Sequence, residues 1–276
     1  MNVSIHKLLD LDFYSEGPAV DAAGNFFFTT LAGRQVIRWQ SGQGSTVWAN
    51  CTCPNGQVIA KNGEHWICES TRGQITAYHA DGSFKGVVVS QKCDGIAFST
   101  PNDLLLDSKG NLFFTDSVRY DGKVFFVGAG GEEKLIADGI DYANGLALNA
   151  AEDRLFVAES YGNRILVFDL AKPGQAELIK AIPLPAHQSG DPGKNLPDGL
   201  AVDSEGRIWV AHYGMQAIHI LSPEGLVVDT FDTGLPLTSN LTFVTEGPDR
   251  KELLITGGYG EPGPGAVLLA TVQWKG

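Results

Sequence analysis

Short runs of apolar and β-branched residues alternate with turns along the whole chain, and the alternation itself repeats. Six segments share one phase: EGPAVDAAGNFFFTT from Glu16, NGQVIAKNGEHWICE from Asn55, NDLLLDSKGNLFFTD from Asn102, NGLALNAAEDRLFVAE from Asn144, DGLAVDSEGRIWVAH from Asp198 and NLTFVTEGPDRKELLITG from Asn240. Each opens on a polar residue and continues as a short apolar strand. Turns such as DAAGN, DSKGN and DSEGR then lead into a second strand of aromatic and β-branched residues. Asp or Asn followed by Gly between two such runs is a hairpin signal, because glycine supplies positive φ. A third alternating strand follows (QVIRW, KVFFV, RILVF, AIHIL), and in most repeats a fourth (STVWA, EKLIAD, LVVDTF). The lead residues stand 39, 47, 42, 54 and 42 positions apart. Four short strands per period of this length predict an all-β fold, a six-bladed β-propeller with four-stranded antiparallel blades, spanning 1–276 as one domain. Helical periodicity is confined to about a turn near the N-terminus. The polar loop HQSGDPGKN accounts for the longest gap. The C-terminal GAVLLATVQW reads as a strand of the last blade, with residues 3–10 as a candidate partner that ties the termini together and removes a free edge.

Radial repetition places equivalent positions in a ring, so the six lead residues predict one convergent, oxygen-lined site in the central channel. Asn-Gly and Asp-Gly also make ordinary turns, which offers Asn55, Asn144 and Asp198 a second reading. Glu16 has no such turn role, and Asn102 is followed by Asp103. The second strand runs back towards the lead residue, ending 14 positions on at Thr30, Glu69, Asp116 and His212, and 15 on at Glu159. These strand ends predict an outer polar shell. Within it, Asp116, Arg119, Glu159, His212 and Tyr213, with Asn55 of the ring, are candidate substrate contacts; Tyr161 lies in the same region.

Glu16, Asn102, Asn144 and Asp198 present only carboxylate and carboxamide oxygens, a set suited to a hard divalent cation; zinc more often recruits His or Cys. The formal charge of −12 and pI near 4.8 exclude a nucleic-acid partner by phosphate repulsion. No run of 18 apolar residues predicts a membrane span, and MNVSIHKLLDLDF lacks an apolar leader core, so a cytoplasmic protein is expected. The cysteines, at 51, 53, 68 and 93, are then expected as free thiols, and the Cys51-Thr-Cys53 spacing is wrong for a zinc or redox pair. No nucleophile-elbow serine, dinucleotide fingerprint or P-loop occurs, which argues against a serine hydrolase and a nucleotide cofactor.

SEGP at 15–18, PNDL at 101–104 with FTDS at 114–117, ANGLAL at 143–148 with LFVAES at 155–160, and LPDGLAVDSEGRIWVA at 196–211 resemble the gluconolactonase family. That family includes the senescence-marker-protein lactonases and luciferin-regenerating enzymes. The resemblance runs over essentially the whole chain. It implies a six-bladed propeller with one divalent metal in the channel, held by Glu16, Asn102, Asn144 and Asp198, with Asp198 also the catalytic carboxylate. Ca²⁺ is the expected ion, with Mg²⁺, Mn²⁺ or Zn²⁺ open. Two departures bear on specificity. An Arg that senescence-marker lactonases carry two residues before the first Asn ligand is Thr100 here, and the stretch after FTD reads SVRYDG.

The expected activity is opening of a lactone, a sugar lactone such as gluconolactone first. The metal would polarise the carbonyl, with water activated by Asp198 or by the metal itself. A phosphotriesterase on the same metal site and a non-enzymatic binding module are the alternatives. The expected partner is a small molecule.

Overall fold

The computed structural model describes residues 1–172 and 174–274; the end of the expected domain, at 275–276, lies outside them. Six antiparallel sheets follow one another along the chain. Their inner strands are Ser15–Val20, Pro54–Ile59, Pro101–Leu106, Ala143–Leu148, Leu196–Val202 and Leu237–Glu246. Each begins a blade of four strands, as the repeat predicts, and the whole is a six-bladed β-propeller. Blade two is widened by two short strands, Lys92–Cys93 and Ile96–Ala97, at its outer edge.

The ring closes at blade six. Strand Asn2–Leu11 pairs antiparallel with Gly265–Gln273, from Asn2↔Gln273 to Leu11↔Gly265. The N-terminal segment is therefore the outer strand of the last blade. The helical turn expected there does not form, because tertiary pairing outweighs local preference. The only helices among the described residues are two 3₁₀ turns, Ser70–Arg72 and Pro192–Lys194, the second in the long polar loop. No described helix is long and apolar enough to cross a membrane.

The core is divided into wedges between neighbouring blades. Trp209, Ile218 and Phe231 of blade five meet Leu253, Ile255 and Leu268 of blade six. Phe113 and Phe126 of blade three meet Leu155 and Leu166 of blade four in the same way. Alternation along each middle strand explains this: successive side chains face the two adjoining blades, and both faces are buried. At the end of the blades away from the lead residues, the Asp-x-x-Gly turns are fixed by their own carboxylates. Asp21 accepts from the amides of Ala23 and Asn25, Asp107 from Lys109 and Asn111, and Asp203 from Glu205 and Arg207.

Candidate active site

A bulge at the head of each inner strand aims the lead side chain. In blade three the pairing passes from Pro101↔Asp116 directly to Leu104↔Phe114, leaving Asn102 and Asp103 outside the ladder. Blades two, four and five repeat the jump at Pro54/Gln57, Ala143/Leu146 and Pro197/Leu200, and blade one between Glu16 and Ala19. Bulges re-aim side chains in this way. The residue after the lead is usually Gly because the inner strands crowd together. A Cβ on Gly145 would lie 2.3 Å from the Asp198 carbonyl oxygen. In blade three Asp103 takes that place, and its Oδ1 would lie 2.4 Å from a Cβ on Gly56. The glycine of one blade thus makes room for the carboxylate of the next.

Five lead residues, Glu16, Asn55, Asn102, Asn144 and Asp198, line one cavity of about 220 Å³, and each is buried. The sixth, Asn240, stands behind them: its Nδ2 donates to Glu16 Oε2 at 3.2 Å, and its Oδ1 accepts from the Leu241 amide. Asn144 is oriented through a relay. The Ser160 hydroxyl donates to the Pro197 carbonyl at 2.8 Å and accepts from Asn144 Nδ2 at 3.1 Å. That fixes the amide with its oxygen free, and Asn144 Oδ1 and Asn55 Oδ1 are both buried without a hydrogen-bond partner. Tyr14, Leu31, Tyr142, Tyr161, Leu196 and Tyr213 make an aromatic and apolar wall, which Glu261 interrupts.

The electrostatics are unbalanced. None of the residues lining the cavity is Lys, Arg or His. Burial pushes Glu16 up to about 8, against the amide of Gly17 and with the charge of Asp103 adding to the rise. Burial, then repulsion from Glu16, Asp103 and Glu261, holds Asp198 well above the carboxylate range. Asp103 is raised to about 6, chiefly by burial. Buried carboxylates without a cation, beside orphaned amide oxygens, fit a hard divalent ion, which neutralises the charge and accepts the oxygens as ligands. Among the described residues no three His, Cys, Asp or Glu side chains gather as a metal site. Half of the donor set here is carboxamide.

Residues 14–258 match the family described as the SMP-30/Gluconolactonase/LRE-like region. The chain belongs to this family. A gluconolactonase of Zymomonas mobilis is 27% identical over 270 residues, covering 85% of this chain and 74% of the relative. Among solved structures, a gluconolactonase of Xanthomonas campestris superposes with a TM-score of 0.81 at 24% identity, covering 98% of this chain and 90% of that one. Regucalcin of Agrobacterium tumefaciens, a calcium-binding protein, gives 0.75 at 18% identity, covering 97% and 93%. These structural likenesses speak to the fold.

In this member of the SMP-30/gluconolactonase family the expected outer shell is at the right end of the blades but does not face the cavity. Asp116, Glu159 and His212 pair with Pro101, Ala143 and Pro197, the residues just before the leads. Neighbours along a strand point to opposite sides, so the partner of the residue before a lead points away from where the lead points. The carboxylates there clamp the chain entering the inner strand of their own blade. Asp116 accepts from the amides of Ser99 and Thr100, Glu159 from Asp141 and from Arg164, and Glu69 from Thr52 and Cys53. His212 takes the same place beside the backbone of Asn195, with neither ring nitrogen in full hydrogen-bond geometry. Burial, then His219, whose ring is 5.0 Å away, pushes it down to about 3. Arg119 lies outside the wall; it pairs with Asp141 at 2.7 Å and covers the Tyr161 ring at 3.5 Å. Tyr213 does line the cavity.

The wall residues that the sequence reading passed over follow two rules. Tyr14, Tyr142 and Leu196 stand two before a lead, and therefore share its side of the strand. Leu31 and Ser160 stand one past the second-strand end, as does Tyr213, which the sequence did name. Glu261 comes from the loop between Arg250–Gly258 and Gly265–Gln273, and no repeat position marks it.

Proposed function

We propose that this protein is a divalent-metal-dependent lactonase acting on a sugar lactone such as gluconolactone. The observation that carries the reading is the cluster of buried, cation-free carboxylates and orphaned amide oxygens at the head of the inner strands. Family membership and a relative named gluconolactonase support the reaction class. Glu16, Asn102, Asn144 and Asp198 would hold the ion, and the calcium-binding regucalcin neighbour favours Ca²⁺. When bound, the ion supplies an electrophile for the lactone carbonyl and neutralises the charge that develops on its oxygen.

The residues of the chain do the rest. Asp198, ionised, takes a proton from the water that attacks the carbonyl carbon. The ring C–O bond breaks, the proton passes to the departing alkoxide, and the product is the open hydroxy acid. Asn55, with its free Oδ1, accepts a hydrogen bond from a substrate hydroxyl. Tyr14 stays protonated, since burial and then the charge of Asp198 raise it well above the usual phenol value, and it can donate. The tyrosine wall covers the faces of a small ring and limits water.

The test is acid release from glucono-1,5-lactone by chelated protein and after adding back Ca²⁺, Mg²⁺, Mn²⁺ or Zn²⁺. Metal-dependent release that D198N abolishes is expected. Metal-independent release, or full activity in D198N, overturns the reading.

A further inference from the structure

Every charged residue of the cavity except one sits at the head of an inner strand. Glu261 instead hangs over the mouth from its loop, and the loop is pinned. The Tyr14 amide donates to the Pro262 carbonyl at 2.9 Å, and the Tyr259 amide to Pro264 at 2.9 Å. A Cβ on Gly263 would lie 2.1 Å from the Asp12 carbonyl oxygen, and one on Gly265 would lie 2.1 Å from that of Phe13. The loop therefore rests directly on residues 12–14, and a side chain at either glycine would lift it. The carboxylate is fixed as well. Tyr213 Oη donates to Glu261 Oε1 at 2.9 Å, leaving the second oxygen without a partner among the described residues. The Tyr213 ring in turn meets Tyr14 edge-on at 6.2 Å.

The charge of this group is not matched. A divalent ion in the ring would balance Glu16 and Asp198, but no Lys, Arg or His of the cavity answers Glu261. The mouth of the loaded site keeps a fixed negative charge with a free acceptor oxygen.

We propose that Glu261, held by Tyr213, sets substrate specificity: it accepts a hydrogen bond from a hydroxyl or amine on the part of the substrate remote from the reacting carbonyl, and it turns away lactones that carry a carboxylate or phosphate there. The substrate class is then neutral or cationic polyhydroxylated lactones. This rests on the lactonase reading, and the two can fail separately.

The test uses the calcium-loaded full chain and two pairs of compounds. The first pair is a neutral sugar lactam, which resists hydrolysis, and the same lactam oxidised to a carboxylate at its primary hydroxyl, with binding read by calorimetry. The second pair is the corresponding lactones, read by kcat/KM. The wild type is expected to prefer the neutral member of each pair by about tenfold, the effect of one like charge at a partly exposed site. E261Q should narrow or reverse the preference by strengthening binding of the anion, a gain that damage to the fold cannot give. Glu177→Gln, which makes the same change in net charge on an exposed strand of blade four, should leave the ratio alone. An unchanged ratio in E261Q, or no lactam binding to either protein, overturns the proposal. Lactam discrimination without turnover of either lactone retires the lactonase reading and leaves this one standing.

Discussion

The strand Leu196–Val202 has buried charge at both ends, treated in opposite ways. At its head, Asp198 shares a cavity with Glu16 and has no cationic side chain beside it. Just past its foot, Asp203 is fully buried but fully partnered: Arg207 Nε lies 2.7 Å from its Oδ2, Trp209 Nε1 lies 2.9 Å away, and the completely buried Lys251 lies at 3.7 Å. Lys251 also reaches Glu205 at 2.7 Å and Glu246 at 3.2 Å, and Arg207 stacks on Trp274. Burial alone would raise Asp203, but the bonds from Trp209 and Arg207 outweigh it and hold it low. The same burial at the other end goes unanswered and lifts Glu16 and Asp198. This sequence can neutralise buried carboxylates with its own cations, and it does so where the blades are merely joined. Elsewhere backbone amides suffice, as at Asp116 and Glu69; at Glu16 and Asp198 the imbalance that remains suits a bound cation.

The contrast can be broken from either side. The largest effect is expected from D198N, which should cut lactone turnover about a thousandfold or more. Its unfolding midpoint without metal should be unchanged or raised, since the cost of burying or protonating that carboxylate has gone. A lowered metal-free midpoint would mean that Asp198 is a structural partner like Asp203. K251M should do the reverse. It takes the buried cation from Glu246 and leaves Asp203 and Glu205 with the Arg207 cation alone, costing about 1.5–3 kcal/mol in denaturant unfolding, while activity per folded molecule stays at the wild-type level. Loss of activity in proportion to stability loss in both variants would erase the distinction.

Metal removal gives a smaller, pH-dependent effect. A saturating ion at about a hundred times its Kd contributes about 2.7 kcal/mol, so chelation should lower Tm. Glu16 and Asp198 have folded values above their unfolded ones. In the metal-free protein they therefore bind protons on folding, and their cost to stability shrinks as pH falls through the folded value of Glu16, near 8. Metal-free protein should accordingly gain stability from pH 8 to 6.5, and E16Q should remove much of that gain. Below 6.5 the buried histidines act against it. His65, His212 and His219 have folded values of about 4, 3 and 4, so the stability they give above the unfolded value fades as pH falls towards those numbers. The smallest effect is expected from Ser160→Ala. It frees the Asn144 amide to rotate and should weaken metal binding about tenfold by titration calorimetry, with the metal-free Tm moved little.

The ring was legible in the sequence because a propeller repeats one position per blade. Glu16, Asn55, Asn102, Asn144 and Asp198 could be placed together from phase alone, and the closing strand at residues 3–10 from the need to cover an edge. The outer shell was displaced by one residue. An offset of 14 finds the backbone partner of the residue before the lead, whereas the side chains that reach the cavity come one position later, at Leu31, Ser160 and Tyr213, of which only Tyr213 was among the expected contacts. With a side-chain period of two, that slip moves each residue from the cavity to the space between blades. Tyr14 and Tyr142 carried a usable signal, two places before a lead. Glu261 carried none, since it enters from a loop that the repeat does not contain. The paired Asp203–Lys251 cluster was equally invisible, because its members are 48 residues apart in the chain and meet only across a blade boundary.

Blade six is sewn from both ends of the chain, and the ring is sewn with it. Ser239 Oγ donates to the Ser15 carbonyl at 2.9 Å, and Asn240 holds Glu16, across a separation of 224 residues. Such contacts are the last for a growing or refolding chain to make, because loop closure must precede any return from them. The contacts of Glu16 with blade six, and with them the closed ring, form only when the seam shuts. The ability to bind metal would then report the final step of folding, and a molecule with an open seam would hold most of its strands and none of its chemistry.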